Sequence, residues 1–449
     1  MTTYKSYIGN KDIKFWDGID RTYTRLTSTG GNLTLNKIGH MVDPLEIWGD
    51  GDSYTSATLN TAISAIGSNN VIMALQPGTW TISEAVTFPN NIALYMPNGA
   101  ILSVDNGITL TIQSSLEAGS YQIFSGTGTV DIQREAAILS INPFWFGVKA
   151  DGSTDDSAAL QRAITTADGS GAVIRFPRGI GDVIVGSTVD LKYGVHLLGP
   201  FRRPTRFKPT NAVSLAINVA SFDSTFPTVK DITIIMDDMP NGSVGISNTA
   251  RIEGLLLERV RISGDNSGHA LSEIQTQNKT GIKLIKGGSN FYWINLNEIY
   301  VELTEQAVDI DSFNNKVLAL TMKGCWFNNN NNGLKAYVSS LTDLGSWFIS
   351  ENTGANGMDG YLDIRGGSAS FHGTIFSSLS GQGVTSPIYK FTPYTTFTGT
   401  SNFTYSDGLW AYQDESGNII DLTDNTEIQG MINSDDGTYI GNLQSSYEN

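Results

Sequence analysis

The stretch Ile299-Tyr-Val-Glu-Leu-Thr-Glu-Gln-Ala-Val-Asp-Ile-Asp311 holds two runs in which apolar and polar residues alternate, Ile299-Tyr-Val301 and Val308-Asp-Ile310. Alternation with period two marks a strand with one buried face. Both runs recur along the chain. Outward from Val308, apolar residues at Ile246, Ile282, Leu334, Leu362 and Ile388 complete a set with successive spacings of 36, 26, 26, 28 and 26. Around Ile299, the set Ile232, Val260, Cys325, Trp347 and Ile375 gives 28, 39, 26, 22 and 28. A period of about 27 with strands at fixed phase implies stacked coils of a parallel β-solenoid, each about 4.8 Å from the next.

The two long spacings overlap only in residues 261 to 281, so a loop about ten residues longer than its counterparts leaves the solenoid there. Such a loop is either a tolerated surface insertion or a carrier of function. The phase of the strands places Lys283, Asp309, Lys335 and Asp363 outward on successive coils, a column of alternating sign that supports register. Beside the second set, Tyr300, Trp326, Phe348 and Phe376 are expected to form an outward aromatic stripe. A stripe of that size is either a subunit interface or a platform for sugar rings.

Composition agrees with this architecture. Forty-eight glycines and only 16% charged residues, against roughly 25% in an ordinary soluble domain, speak against a mostly helical protein. The net charge is −16, which repels nucleic acid and anionic membrane, and no apolar run reaches the length of a membrane span. The first residues, Met1 to Phe15, lack the apolar stretch of an export signal. The single cysteine, Cys325, reads as a small apolar residue of a strand. The histidines His40, His196, His269 and His372 lie scattered without ligand spacing, so neither a metal nor another cofactor is expected.

Upstream of the solenoid the chain repeats itself. Ala57-Thr-Leu-Asn-Thr-Ala-Ile63 matches Ala158-Ala-Leu-Gln-Arg-Ala-Ile164, and each is followed by an apolar strand and a turn at Pro77 or Pro177. Each copy reads as a short amphipathic helix followed by a strand, the second preceded by Thr154, Asp155 and Asp156, whose oxygens suit a helix N-terminus. The run Trp145-Phe-Gly-Val-Lys-Ala-Asp-Gly-Ser-Thr-Asp-Asp-Ser157, continuing through that helix to Val173-Ile-Arg-Phe-Pro-Arg-Gly179, resembles the opening of the pectate-lyase-like right-handed parallel β-helix superfamily, bacteriophage tailspikes in particular. Leu75-Gln-Pro-Gly-Thr-Trp-Thr-Ile82 is similar to the same opening in weaker form.

That resemblance implies an all-β, right-handed parallel β-helix with short capping helices, commonly a homotrimer. It also implies a protein that binds, and often cleaves, a bacterial surface polysaccharide from a virion tail, alongside other tail proteins. The expected organisation is a short N-terminal β segment at 1–45, a first entry unit at 46–142, the main β-helix at 143–394 and a C-terminal cap or trimerisation segment at 395–449. Hairpin turns are expected at 414–418 and 435–437.

Glycoside hydrolysis needs two carboxyl groups about 5 to 9.5 Å apart. The densest acidic stretch of the repeat supplies Glu302, Glu305 and Asp309, and Glu273 of the inserted loop precedes Glu302 by 29 residues, about one coil. These four are the candidate catalytic residues, with Glu351 and Asp359 next. Trp293, His269, Tyr300 and Trp326 are candidates for contact with substrate. An elimination mechanism would instead need cations facing a uronate, for which Lys279, Lys283 and Lys286 are nearest. The run Asn328 to Asn332 suits a ladder of side-chain amides at a turn.

Overall fold

The structure, a computed structural model, describes side chains over residues 42–44, 53–133, 140–168, 173–192, 194–201, 204–220, 227–249, 254–264, 277–284, 293–310, 319–336 and 339–348, and at 136, 138 and 362. Beyond these it describes the backbone of further strands between Ser6 and Ile440.

The chain divides into two units, Met1–Lys149 with Arg162–Ile174, and Ala150–Gln161 with Arg175–Asn449. In the first, the helix Ser56–Ile66 precedes short coils that feed three parallel sheets. The strands Val71–Ala74, Gly78–Ile82 and Val86–Phe88 form one such coil. Trp80 pairs with Leu102, which pairs with Phe124, so each coil advances 22 residues along that sheet. Trp80, Phe88 and Phe124 are fully buried and fill this narrower core. The two matching sequence segments form helices of equal length, Ser56–Ile66 and Ser157–Ala167.

The second unit is the long solenoid, a parallel β-helix in which every coil gives one strand to each of three sheets. One coil serves as pattern: Trp293–Asn297 in the first sheet, Tyr300–Glu302 in the second and Gln306–Asp311 in the third. A single residue with positive φ turns the chain from first to second sheet. Asp231, Arg259, Glu298, Gly324 and Gly345 occupy that corner on successive coils. The next corner is equally tight: a Cβ on Gly264 would lie 1.7 Å from the Leu303 carbonyl oxygen, so only glycine fits there. Above it, the fully buried Asn330 amide accepts from the Thr304 N–H at 3.1 Å and hydroxyl at 2.7 Å, and donates to the Val301 carbonyl at 2.9 Å. Asn330 is therefore structural, as expected for this run, but its partners on the preceding coil are Thr304 and Val301 and not a ladder of amides.

The third sheet follows the expected register, Ile246, Ile282, Val308, Leu334 and Leu362 pairing in turn. Leu362 then pairs with Tyr389. Ile388, expected at that position, lies outside the described residues. The charged column is in register as expected from Lys283 through Asp309 and Lys335 to Asp363, and Lys390 extends it. Lys335 Nζ lies 3.5 Å from Asp309 Oδ1.

In the second sheet the expected phase holds through Cys325 and then fails. Trp347 pairs with Trp326, not Cys325, and Phe348 pairs with Phe327. Phe348 is fully buried, its ring 4.8 Å from that of Phe327, so it belongs to the core and Trp347 takes its place outside. The shift is set before the corner at Asp343-Leu-Gly-Ser346: in the first sheet Leu320 already pairs with Leu341, an advance of 21 residues where the sequence spacing implied 22. Buried Asp343 accepts the Ser346 hydroxyl at 2.5 Å, and that hydroxyl accepts the Cys325 N–H at 3.1 Å. Ser346, rather than Trp347, thus stands against Cys325. Cys325 is buried, its thiol donates to the Leu296 carbonyl at 3.1 Å, and burial pushes its pKa up to about 11.

Parallel pairing continues past residue 395, through Thr396–Thr398, Thr400–Thr404 and Trp410–Gln413. Antiparallel pairs then flank both expected hairpins, Gln413 with Ile419 and Asn433 with Thr438; the turns themselves lie outside the described residues. Among the described residues no helix is long and apolar enough to cross a membrane.

Candidate functional site

The outward positions of the second sheet bring together a group spread over 87 residues of sequence, from Arg261 to Trp347. Arg261, Tyr300, Trp326 and Trp347 stand in register on four consecutive coils. Strand alternation sends Ile262, Val301, Phe327 and Phe348 into the core and leaves these four on the surface. The Arg261 guanidinium sits 5.0 Å above the Tyr300 ring. The Tyr300 and Trp326 rings are 5.5 Å apart at 58°, and Trp326 and Trp347 are 5.3 Å apart at 44°. Trp326 is 39% exposed and Trp347 41%, so each indole keeps substantial surface in solvent.

Glu302 lies beside this ladder, two residues along the strand from Tyr300 on the same face. Its carboxylate accepts from Arg261 Nε at 3.1 Å and also from Arg261 Nη2. Burial raises the Tyr300 phenol above its ordinary value, and the hydrogen bond to Glu302 raises it further. The Tyr300 hydroxyl also meets Asn328 Nδ2 at 3.4 Å. Glu302 is only 8% exposed, whereas the Arg261 side chain is 54% exposed and offers its outer nitrogens to solvent.

The other candidates are dispersed. Glu305 lies in the second corner, where its carboxylate accepts from Asn331 Nδ2 at 2.9 Å and Asn332 Nδ2 at 3.4 Å. Asp309 lies in the third sheet, in the charged column. The register partners of Glu302 on the adjacent coils are Ser263 and Asn328, neither a carboxylate. Proximity in sequence misleads here, because the seven residues from Glu302 to Asp309 turn a corner and reach a different face. Glu273 and His269, and likewise Glu351, Asp359 and Lys286, lie outside the described residues.

Trp293 is 52% exposed but belongs to the first sheet, between Gly254 and Ala319 in register. It is a separate aromatic surface. Lys279, considered as a cation for elimination, is only 2% exposed, and its Nζ donates to the carbonyls of Met236 at 2.8 Å, Gly264 at 3.1 Å and Asp237 at 3.3 Å. It ties corners of earlier coils together and is not presented to a uronate. Lys283 belongs to the charged column. Among the described residues no group of three or more His, Cys, Asp or Glu is placed to hold a metal ion.

Sequence reasoning found Tyr300, Trp326 and Glu302 but missed Arg261, Asn328 and the outward face of Trp347. The missing signal was a shift of one position: the column after Val260, Ile299 and Cys325 reads Arg261, Tyr300, Trp326, and one residue beyond Ser346 it reads Trp347.

Residues 141–360 match the family described as Rhamnogalacturonase A/epimerase, pectate lyase-like. Among solved structures, one titled Geobacillus virus E2 ORF18 is similar at 18% identity with a TM-score of 0.37, over 63% of this chain and 63% of that one. The chain thus spans less than two thirds of that protein. No curated protein matches the chain. Residues 141–360 thus match a pectate-lyase-like family model, in a chain whose long second unit is a parallel β-helix of three sheets.

Proposed function

We propose that the protein binds a bacterial surface polysaccharide through the outward face of its second sheet, as a tailspike-type receptor-binding protein of a phage. The observation that carries the reading is the exposed ladder Tyr300, Trp326 and Trp347, with the Arg261–Glu302 pair at its side. Flat aromatic faces accept the apolar faces of sugar rings, and a charged hydrogen-bonding pair beside them accepts hydroxyls. In this proposal the protein works as a homotrimer with other tail proteins, at the host surface.

The enzymatic form of the proposal is hydrolysis, with Glu302 and Glu273 as the pair of carboxyl groups, one acting as acid and the other activating water. A second reading, binding without cleavage, is favoured by one observation: the neighbours of Glu302 along its column are Ser263 and Asn328. Incubation with capsule or O-antigen separates the two. Shortened polymer with new reducing ends supports hydrolysis, bound but intact polymer supports the binder, and absorbance of unsaturated uronates indicates elimination. Absence of binding by the native protein to capsule, O-antigen and exopolysaccharide of its host defeats the proposal.

A further inference from the structure

We infer that this face selects an uncharged sugar, recognised through vicinal hydroxyls by the Arg261–Glu302 pair. The inference rests on the polysaccharide-binding reading above and deepens it to a class of ligand. Its basis is the charge around the ladder. The outward column runs Arg206, Thr233, Arg261, Tyr300, Trp326 and Trp347 in register, so its only cations among the described residues are two arginines. Each is already neutralised. Arg206 Nη1 lies 3.2 Å from Asp182 Oδ1, and Arg261 is held by Glu302.

An anionic sugar such as a uronate would have to compete with Glu302 for Arg261, and losing would leave two carboxylates facing each other. Because Glu302 is nearly buried, it cannot swing into solvent at little cost. The whole chain, at −16, adds a repulsive field. A neutral sugar meets no such opposition. The Arg261 side chain, 54% exposed, donates to one hydroxyl, and the Glu302 carboxylate, whose side chain keeps 11% of its surface in solvent, accepts from its neighbour. The ring then rests against Tyr300 or Trp326, 5.5 Å apart. Arg261 and Glu302 are therefore the specificity-determining residues of the face.

The test uses matched probes: neutral glucans, galactans and mannans, each paired with the same polymer oxidised at C6 to its uronate form, titrated calorimetrically against the full chain. At least one neutral member is expected to bind about tenfold or more tightly than its oxidised twin, with little dependence on salt. Glu302→Gln frees the Arg261 charge and is expected to narrow or reverse that preference and to make binding salt-dependent. Arg261→Ala, which removes the cation of the pair, is expected to weaken the neutral probe without improving the oxidised one, with folding checked by circular dichroism. Tighter binding of oxidised members by the native protein, lost as salt rises, overturns the inference while leaving the polysaccharide-binding reading intact. Failure of every probe, neutral and oxidised, overturns both.

Discussion

Two outward columns of the same solenoid make the instructive comparison. On the third sheet, Lys283, Asp309, Lys335, Asp363 and Lys390 stand in register and alternate in sign along the axis, and Lys335 Nζ lies 3.5 Å from Asp309 Oδ1. On the second sheet, Arg261, Tyr300, Trp326 and Trp347 stack with tilted rings and still leave both indoles about two-fifths exposed. Both columns place one residue on each coil. The first sets opposite charges side by side and serves register, whereas the second keeps aromatic surface open to a partner. What separates a scaffold face from a binding face in a repeat protein is whether the column satisfies itself.

This contrast is sharpest where inside and outside meet, at Trp347 and Phe348. Phe348→Ala empties a fully buried site under Phe327 and is expected to cost about 3–5 kcal/mol, measured by denaturant unfolding. Trp347→Ala on the opposite face is expected to leave stability nearly unchanged. Equal losses in the two variants would place both residues in the core and dissolve the ladder. Asn330→Ala, which strands the Thr304 N–H and the Val301 carbonyl inside the corner, is expected to cost about 1–3 kcal/mol with the ladder's binding retained in the folded fraction.

The smallest effects belong to the charged column. Lys335→Ala removes a partner 3.5 Å from Asp309 on a partly exposed face, and is expected to change stability by less than about 1 kcal/mol, with sugar affinity as in the native chain. A large loss of affinity in this variant would move the binding surface to the third sheet.

These residues also mark how far the sequence could be read. The third-sheet register was legible because apolar and charged residues alternate there without ambiguity, as in Val308-Asp-Ile310. At Trp347-Phe348 two large aromatics are adjacent, so hydrophobicity alone does not say which one points inward. The decision lies with the length of the coil before it: Leu320 pairs with Leu341 in the first sheet, an advance of 21 residues that carries through to Trp326 and Trp347. The Arg261–Glu302 pair was hidden for another reason. The insertion after Ser263 separates its members by 41 residues although they occupy adjacent coils. The acidic cluster at 302–309 pointed the other way, toward one site, because corners that redirect a chain onto a new face leave little trace in a count of carboxylates.

In the proposed function the aromatic column of the second sheet, and not the charged column of the third, holds the polysaccharide. The direct measurement is the affinity of the native chain, the Trp326→Ala/Trp347→Ala double variant and the Lys335→Ala variant for the same surface polysaccharide, with folding checked by circular dichroism. The account predicts a loss of about tenfold or more in the double variant, since stacking contacts contribute about 0.5–1.5 kcal/mol each beyond the area they bury. It predicts none in Lys335→Ala. Unchanged affinity in a folded double variant would contradict it.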